Sequence, residues 1–299
     1  MHAPLIVDRL RPLTINPASH PRGQPHLSAA SGLVCAHGRA YVIGDDEHHL
    51  AIYRDRTSDA DLQRLVGGDP PSGKAARKRR KPDFESLLWL PVDGALIALG
   101  SGSRPNRDRG VRLLLRQDGT PQPVSQPFDL APVYEALRAR LGAINIEGAF
   151  VVGDRLHLLN RGHAAAAGNV AVCYRLRDFI DLIDGSNSAV EPLSMQAFEL
   201  GTIGGVALGF TDGAALPGGG WVFSAVAEDN ASSYADGACR GAALGIVAPD
   251  GRLQSLRRLA LPDKIEGIDA QRQADAVVLF MVTDADDPKQ PSWLLSARL

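Results

Sequence analysis

The chain has 299 residues, 44% of them hydrophobic and 22% charged, with a formal net charge of -2. That balance supports a large core and gives no general attraction to nucleic acid or to an anionic membrane surface. No apolar stretch approaches the roughly 18 residues needed to cross a bilayer, and residues 1–14 lack the basic-then-apolar order of an export signal, so a cytoplasmic protein without nucleic-acid or membrane partners is expected.

In chain order, an apolar run over residues 5–10 comes first and has no partner of its own. Five similar units follow, each read as four strands. The first has strands at 32–36, 40–43, 50–54 and near 62–66. The second has strands at 86–90, 95–99, 111–115 and near 123–128. The third has 149–152, 156–159, 170–176 and 195–200, and the fourth 211–216, 221–226, 243–248 and 253–261. The fifth has 267–270, 276–282 and 293–299, and there the sequence ends one strand short. Turn chemistry joins the first two strands of the units: His37-Gly38, Asp93-Gly94, Gly153-Asp154, and Pro217 before three glycines. The one helix expected from spacing is 131–141, with Val133, Leu137 and Leu141 on one stripe. The basic run at 74–81 reads as a mobile, solvated loop, with an anion clamp as the alternative.

Cys35, Cys173 and Cys239 are widely separated, odd in number and near apolar strands. They suit reduced, small buried residues better than a disulfide framework or a zinc site.

Five repeats lacking one strand, with a spare strand at the start, imply an all-β fold. The expectation is a five-bladed β-propeller in one domain spanning 1–299, with the N-terminal strand closing the last blade. A β-sandwich is the rival, but it gives no reason for the next feature. Each unit opens on an oxygen-bearing residue: Ser31, Glu85, Glu147, Thr211 and Glu266. In a propeller the innermost strands line a channel, so these five should face one mouth. The ends of the second strands should surround them, carrying Asp45-Asp46, residues 101–104, Asn160-Arg161, Glu228-Asp229 and Thr283-Asp284. Three carboxylates at a narrow axis require either a cation among them or bound protons. Oxygen donors without His or Cys favour calcium, with magnesium possible, over zinc or copper.

These segments resemble the calcium-activated nucleotidase (apyrase) family. The resemblance is carried by the stretch from Ser31 to Asp46, by Tyr134 to Gly142 leading into Ile146-Glu147, by Gly209-Phe210-Thr211, and by Lys264-Ile-Glu266-Gly-Ile268. It implies a five-bladed propeller whose calcium ligands follow the order Ser31, Glu85, Glu147, Thr211, Glu266. The chain departs from the family where cations are expected: Glu47-His48-His49 follows the paired aspartates, Asn160-Arg161-Gly162 replaces two arginines, and Ala225-Val226-Ala227 stands where a lysine is expected. The Glu-Gly motifs also resemble phytase-like and lactonase-like propellers.

The functional expectation is therefore a metal-dependent hydrolase acting on a small anionic or ester substrate at the channel mouth. Glu147, Glu85 or Asp46 would move the proton, and Arg161 and Arg104 would hold substrate. One alternative is a binding propeller with a structural ion; another is a glycosidase using two channel carboxylates. His48, His49 and His163 read as surface histidines, and Trp89, Trp221 and Trp293 as packing between blades.

Overall fold

A computed structural model describes residues 3–71, 73–162, 168–186, 190–229 and 238–299, except the side chain of Lys74. Its five sheets are the five expected units. The first is β2 (Ala30–Ala36), β3 (Arg39–Gly44), β4 (His49–Tyr53) and β5 (Asp61–Arg64); β1 (Asp8–Pro12) precedes it. The second is β6 (Phe84–Leu90), β7 (Ala95–Gly100), β8 (Arg109–Leu114) and β9 (Gln126–Asp129). The third is β10 (Ile146–Val152), β11 (Arg155–Asn160), β12 (Asn169–Arg175) and β13 (Ser194–Phe198). The fourth has β14 (Thr202–Ile203), β15 (Val206–Ala215), β16 (Trp221–Glu228), β17 (Cys239–Val247) and β18 (Leu253–Arg258). The last is β19 (Lys264–Gln273), β20 (Ala276–Asp284) and β21 (Trp293–Arg298).

Each sheet is an antiparallel meander, and β2, β6, β10, β15 and β19 each pack against the innermost strands of the neighbouring blades. This is a five-bladed β-propeller. It closes as expected, with β1 pairing antiparallel to β21 at the outer edge of the last blade. That pairing covers the open edge of β21 and makes β1 the outer strand of the last blade. The closing strand lies later than the sequence suggests: Leu5 forms a parallel bridge to Leu259 on blade 4, and pairing with β21 begins at Asp8. Leu5 and Val7 are apolar because they are buried beneath blades 4 and 5, not because they occupy the closing strand.

The turns follow from backbone chemistry. His37 and Gly38 both have positive φ (51° and 70°), as a two-residue type I′ hairpin requires. The blades hold together through apolar clusters between adjacent sheets. Between blades 3 and 4, Phe150, Phe198, Phe210, Trp221 and Phe223 form one aromatic cluster. Trp221 thus packs between blades, Trp89 meets His37 of blade 1 edge to face, and Trp293 lies under the Arg9 guanidinium.

Helix α2 (Ala131–Leu141) is where the spacing places it, but two further helices were not expected. α1 (Lys74–Arg80) covers most of the basic run, and α3 (Leu176–Ile183) follows β12 without a break. The strand read over 170–176 therefore stops at Arg175; Leu176, Phe179 and Leu182 are buried at helical spacing. None of the described helices is long and apolar enough to cross a membrane.

Candidate functional site

The five oxygen-bearing residues share one structural mark. Pairing between the first two strands of every blade slips by one residue, and the slips fall between Ala30 and Gly32, Phe84 and Ser86, Ile146 and Gly148, Phe210 and Asp212, and Ile265 and Gly267. The extra residue in each bulge is Ser31, Glu85, Glu147, Thr211 or Glu266. A bulge re-aims the side chain it carries. The glycines after three of them allow close approach of neighbouring blades: a Cβ on Gly148 would stand 2.8 Å from the Asp212 Cα, and one on Gly267 3.0 Å from Gly32 backbone.

The three glutamates belong to one electrostatic cluster at the end of the channel where the second strands finish. On the side of blades 3 to 5, Arg161 lies 2.9 Å from Glu228 and 3.8 Å from Glu147. Lys264 Nζ lies 3.1 Å from Asp284, 3.3 Å from Asp286, and 3.4 Å from both Glu228 and Glu266. On the side of blades 1 and 2, Lys81 pairs with Asp45 and lies 2.6 Å from Asp83, which Arg107 reaches at 2.7 Å. Oxygens of Asp45, Asp83 and Glu85 lie within 4.8 Å of one another. Among the described residues neither Glu85 oxygen has a hydrogen-bond or ion-pair partner. Glu147 accepts from Asn145 through Oε1 only, and Glu266 Oε1 has no hydrogen bond.

Burial dominates the protonation of these acids. Desolvation raises Glu147 to about 7 although Arg161 and Lys264 oppose it, and raises Glu266 to about 8 against Lys264. Glu85 is pushed well above the usual range by burial and by the charges of Asp83, Glu147 and Asp45. Asp45 and Asp284 rise to about 6, again chiefly by burial, each opposed by its lysine. The charge of Glu147 raises both Glu85 and Glu266, so the three acids are electrostatically linked.

Ser31 and Thr211 are buried, and each hydroxyl gives its proton away: Ser31 to the Phe84 carbonyl at 2.6 Å, Thr211 to Ser224 at 2.8 Å. Asp46 stands apart from the three glutamates. Burial would raise it, but Arg22 and Arg77 hold it below the usual carboxylate range. Arg161 is enclosed by acids, and Gly209 makes room for it. Arg104 is half-buried where the short 3-10 turn at Pro105–Arg107 begins.

Three expectations about this end of the molecule are corrected. The basic run is not a solvated loop, because Arg77 and Lys81 bind Asp46 and Asp45. His48 and His49 are not on the surface: both are buried, His48 Nδ1 lies 2.9 Å from the Gly68 carbonyl, and burial lowers His49 to about 4. His163 lies outside the described residues. The sequence reading missed the roles of Lys264, Lys81 and Asp83, and it placed Glu228 at the mouth without its partners Arg161 and Lys264. The spacing Lys264-x-Glu266 was a usable signal: even with the bulge at Glu266 the two side chains meet at 3.4 Å. Beside Lys264 opens a cleft of about 440 Å³, whose lining includes Arg9, Cys239, Asp263, Asp284, Asp286 and Trp293.

The fold and this end of the channel define a five-bladed β-propeller with an acid-rich mouth. Residues 26–299 match the family of unknown function DUF6929, and the chain belongs to that family. No curated protein matches it. Among solved structures it is similar to the major allergen Mala s 1 of Malassezia sympodialis, with TM-score 0.53, 10% identity, and 91% of this chain and 94% of that one covered. It is also similar to a putative glycoside hydrolase from Parabacteroides distasonis, with TM-score 0.52, 12% identity, and coverage of 98% and 93%. A third is the GH32 β-fructofuranosidase of Bombyx mori, with TM-score 0.51, 10% identity, and coverage of 96% and 62%. At these identities the likeness is one of fold.

Proposed function

We propose that the channel mouth takes a divalent cation, calcium ahead of magnesium, and that this protein hydrolyses a phosphate or other ester there. The observation behind the reading is that Glu85, Glu147 and Glu266 each keep a carboxylate oxygen without a hydrogen-bond partner among the described residues. Such donors suit a hard ion, and calcium accepts six to eight oxygens in loose geometry where magnesium needs a tight octahedron. Ser31 and Thr211 suit auxiliary ligands, because a hydroxyl that donates its proton elsewhere keeps lone pairs to offer. An ion held there would supply Lewis acidity toward a substrate oxygen.

The rest of the chemistry falls to the chain. Glu147 keeps one oxygen without a hydrogen bond at the mouth, so it is the residue suited to accept and return a proton. Asn145 and Arg161 hold it in place. Glu85 is the second candidate, while Asp46, clamped ionised by two arginines, is better suited to anchoring α1. Lys81, Arg107, Arg161 and Lys264 are all paired with carboxylates, so an anionic substrate would be held by the ion rather than by an arginine clamp. The nucleotidase resemblance thus supports the ion more than it supports nucleotide recognition.

A second reading is glycoside hydrolysis by two of the channel carboxyls, one protonated and one ionised. It is favoured by the excess of acids over cations at the mouth, which suits a neutral substrate, and by the shared fold with glycoside hydrolases. One experiment separates the readings: metal analysis of the purified protein, then a screen of aryl phosphates, aryl esters and aryl glycosides with and without chelator. Ester hydrolysis lost on chelation and restored by calcium is the expected result. Glycosidase activity indifferent to chelator would favour the second reading, and a metal-free protein inert toward all three would end both.

A further inference from the structure

Lys264 opens β19, the innermost strand of the last blade, and its ammonium lies between four carboxylates. Two of them, Glu228 and Glu266, come from blades 4 and 5. The others, Asp284 and Asp286, come from the end of β20 and the turn after it. An ammonium has three hydrogens to give. Its hydrogen bonds go to Asp284 and Asp286, and Glu266 Oε1 is left at 3.4 Å without one. The arrangement is a cage of oxygens around one positive charge, not a single directional salt bridge. All four oxygens lie 3.1–3.4 Å from the nitrogen, and calcium would need them at about 2.3–2.6 Å, an inward movement of about 0.5–1.1 Å each. The 440 Å³ cleft is lined by Lys264, Asp284 and Asp286, so the cage borders a space that solvent can fill.

We propose that Lys264 is a resident cation, a tethered ammonium that fills a carboxylate cage which would otherwise take a divalent ion. It keeps an exogenous ion out of the space between Glu228, Asp284 and Asp286 and leaves the axis open. The inference does not depend on the function proposed above, because the cage is closed by Lys264 whether or not the axis holds an ion.

The test is calcium binding by Lys264→Met, Lys264→Gln and Lys264→Arg beside wild type. It uses metal content after desalting, titration calorimetry, and melting temperature with chelator or calcium. Both neutral variants should bind one more calcium per chain than wild type, melt lower in chelator, and recover with calcium. Lys264→Arg keeps the charge and should gain none. Adding Asp286→Asn to Lys264→Met should weaken the gained site about tenfold or more, since ligand charge sets calcium affinity. Unchanged stoichiometry with no recovery by calcium would overturn the proposal and leave Lys264 an ordinary buried ion pair. If the neutral variants do not fold in chelator, refolding with calcium decides: folding only with calcium supports the cage, and failure in both conditions overturns it. The wild-type content reports on the other reading separately. Zero in wild type and one in Lys264→Met would sustain this inference while sinking the metal-dependent hydrolase.

Discussion

The two sides of the channel mouth neutralise their acids differently. On the blade 5 side the counter-charge is built into the innermost strand: Lys264 serves four carboxylates at once. On the blade 1 and 2 side it is brought in from outside the sheets. Lys81 follows α1, and Arg107 ends a short turn of 3-10 helix; together they cover Asp45 and Asp83 and leave Glu85 with no partner among the described residues. One side is closed by its own lysine, and the other keeps a carboxylate in hand. This asymmetry teaches that acid-rich positions around a propeller axis are not equivalent, even when the same bulge carries each of them.

The largest effects should come from removing the two lysines. Lys264→Met without added divalent ion strands Glu266, Asp284 and Asp286, leaving Glu228 to Arg161, and should cost about 3–5 kcal/mol, the scale of breaking a buried ion pair. Lys81→Met should cost less, about 1–3 kcal/mol, because Asp83 keeps Arg107. Urea denaturation in chelator measures both, and equal losses would break the comparison. Next in size is the pH dependence of the metal-free protein. Glu147 and Glu266 rise from 4.5 to about 7 and about 8 on folding, and Glu85 moves in the same direction. The folded state then holds protons that the unfolded chain releases. Their contribution is fully present below about pH 4.5 and is lost as pH rises through 7 and 8. Melting temperature in chelator should fall across that window. Calcium should flatten the fall by replacing the protons, and a flat profile in chelator would count against the buried cluster.

Much of the fold was legible because a propeller repeats itself. Five recurrences of an apolar hairpin after an oxygen-bearing residue set the blade number. The spare strand at the start set the closure, misplaced by a few residues because Leu5 and Val7 are buried for another reason. The five oxygen-bearing positions were legible for the same reason: Ser31, Glu85, Glu147, Thr211 and Glu266 occupy the same bulge in each blade. The counter-ions were not legible. Lys81 reaches Asp45 across 36 residues and Arg161 reaches Glu228 across 67, from loops and strand ends that obey no period. α1 was hidden because a run of like charges reads as solvated unless its partners are known. α3 was hidden because Leu176 continues the apolar run of β12 and the strand-to-helix change has no breaker.

Smaller substitutions sharpen the contrast between the sides. Glu85→Gln removes an unpartnered acid and should raise the stability of the metal-free protein by about 1 kcal/mol. Glu266→Gln takes a ligand from Lys264 and should lower it by about the same amount. Opposite signs in parallel urea melts are the expected result. Both variants should also lose calcium-dependent stabilisation, since each removes one of the three axial carboxylates.

The smallest effect belongs to the hydroxyl members of the ring. Ser31→Ala deletes one hydrogen bond between blades 1 and 2 and should cost about 0.5–1.5 kcal/mol. Thr211→Val deletes a bond to Ser224 within blade 4 and should cost a similar amount, leaving Ser224 Oγ at 3.5 Å from the Asp212 carbonyl. If these hydroxyls only tie backbone and side chains together, the loss will be the same with and without calcium. If they also offer lone pairs to an ion, both variants will weaken calcium binding while the chelated proteins differ little from wild type. Comparing the two melts decides whether all five bulges serve the axis or only the three that carry acids.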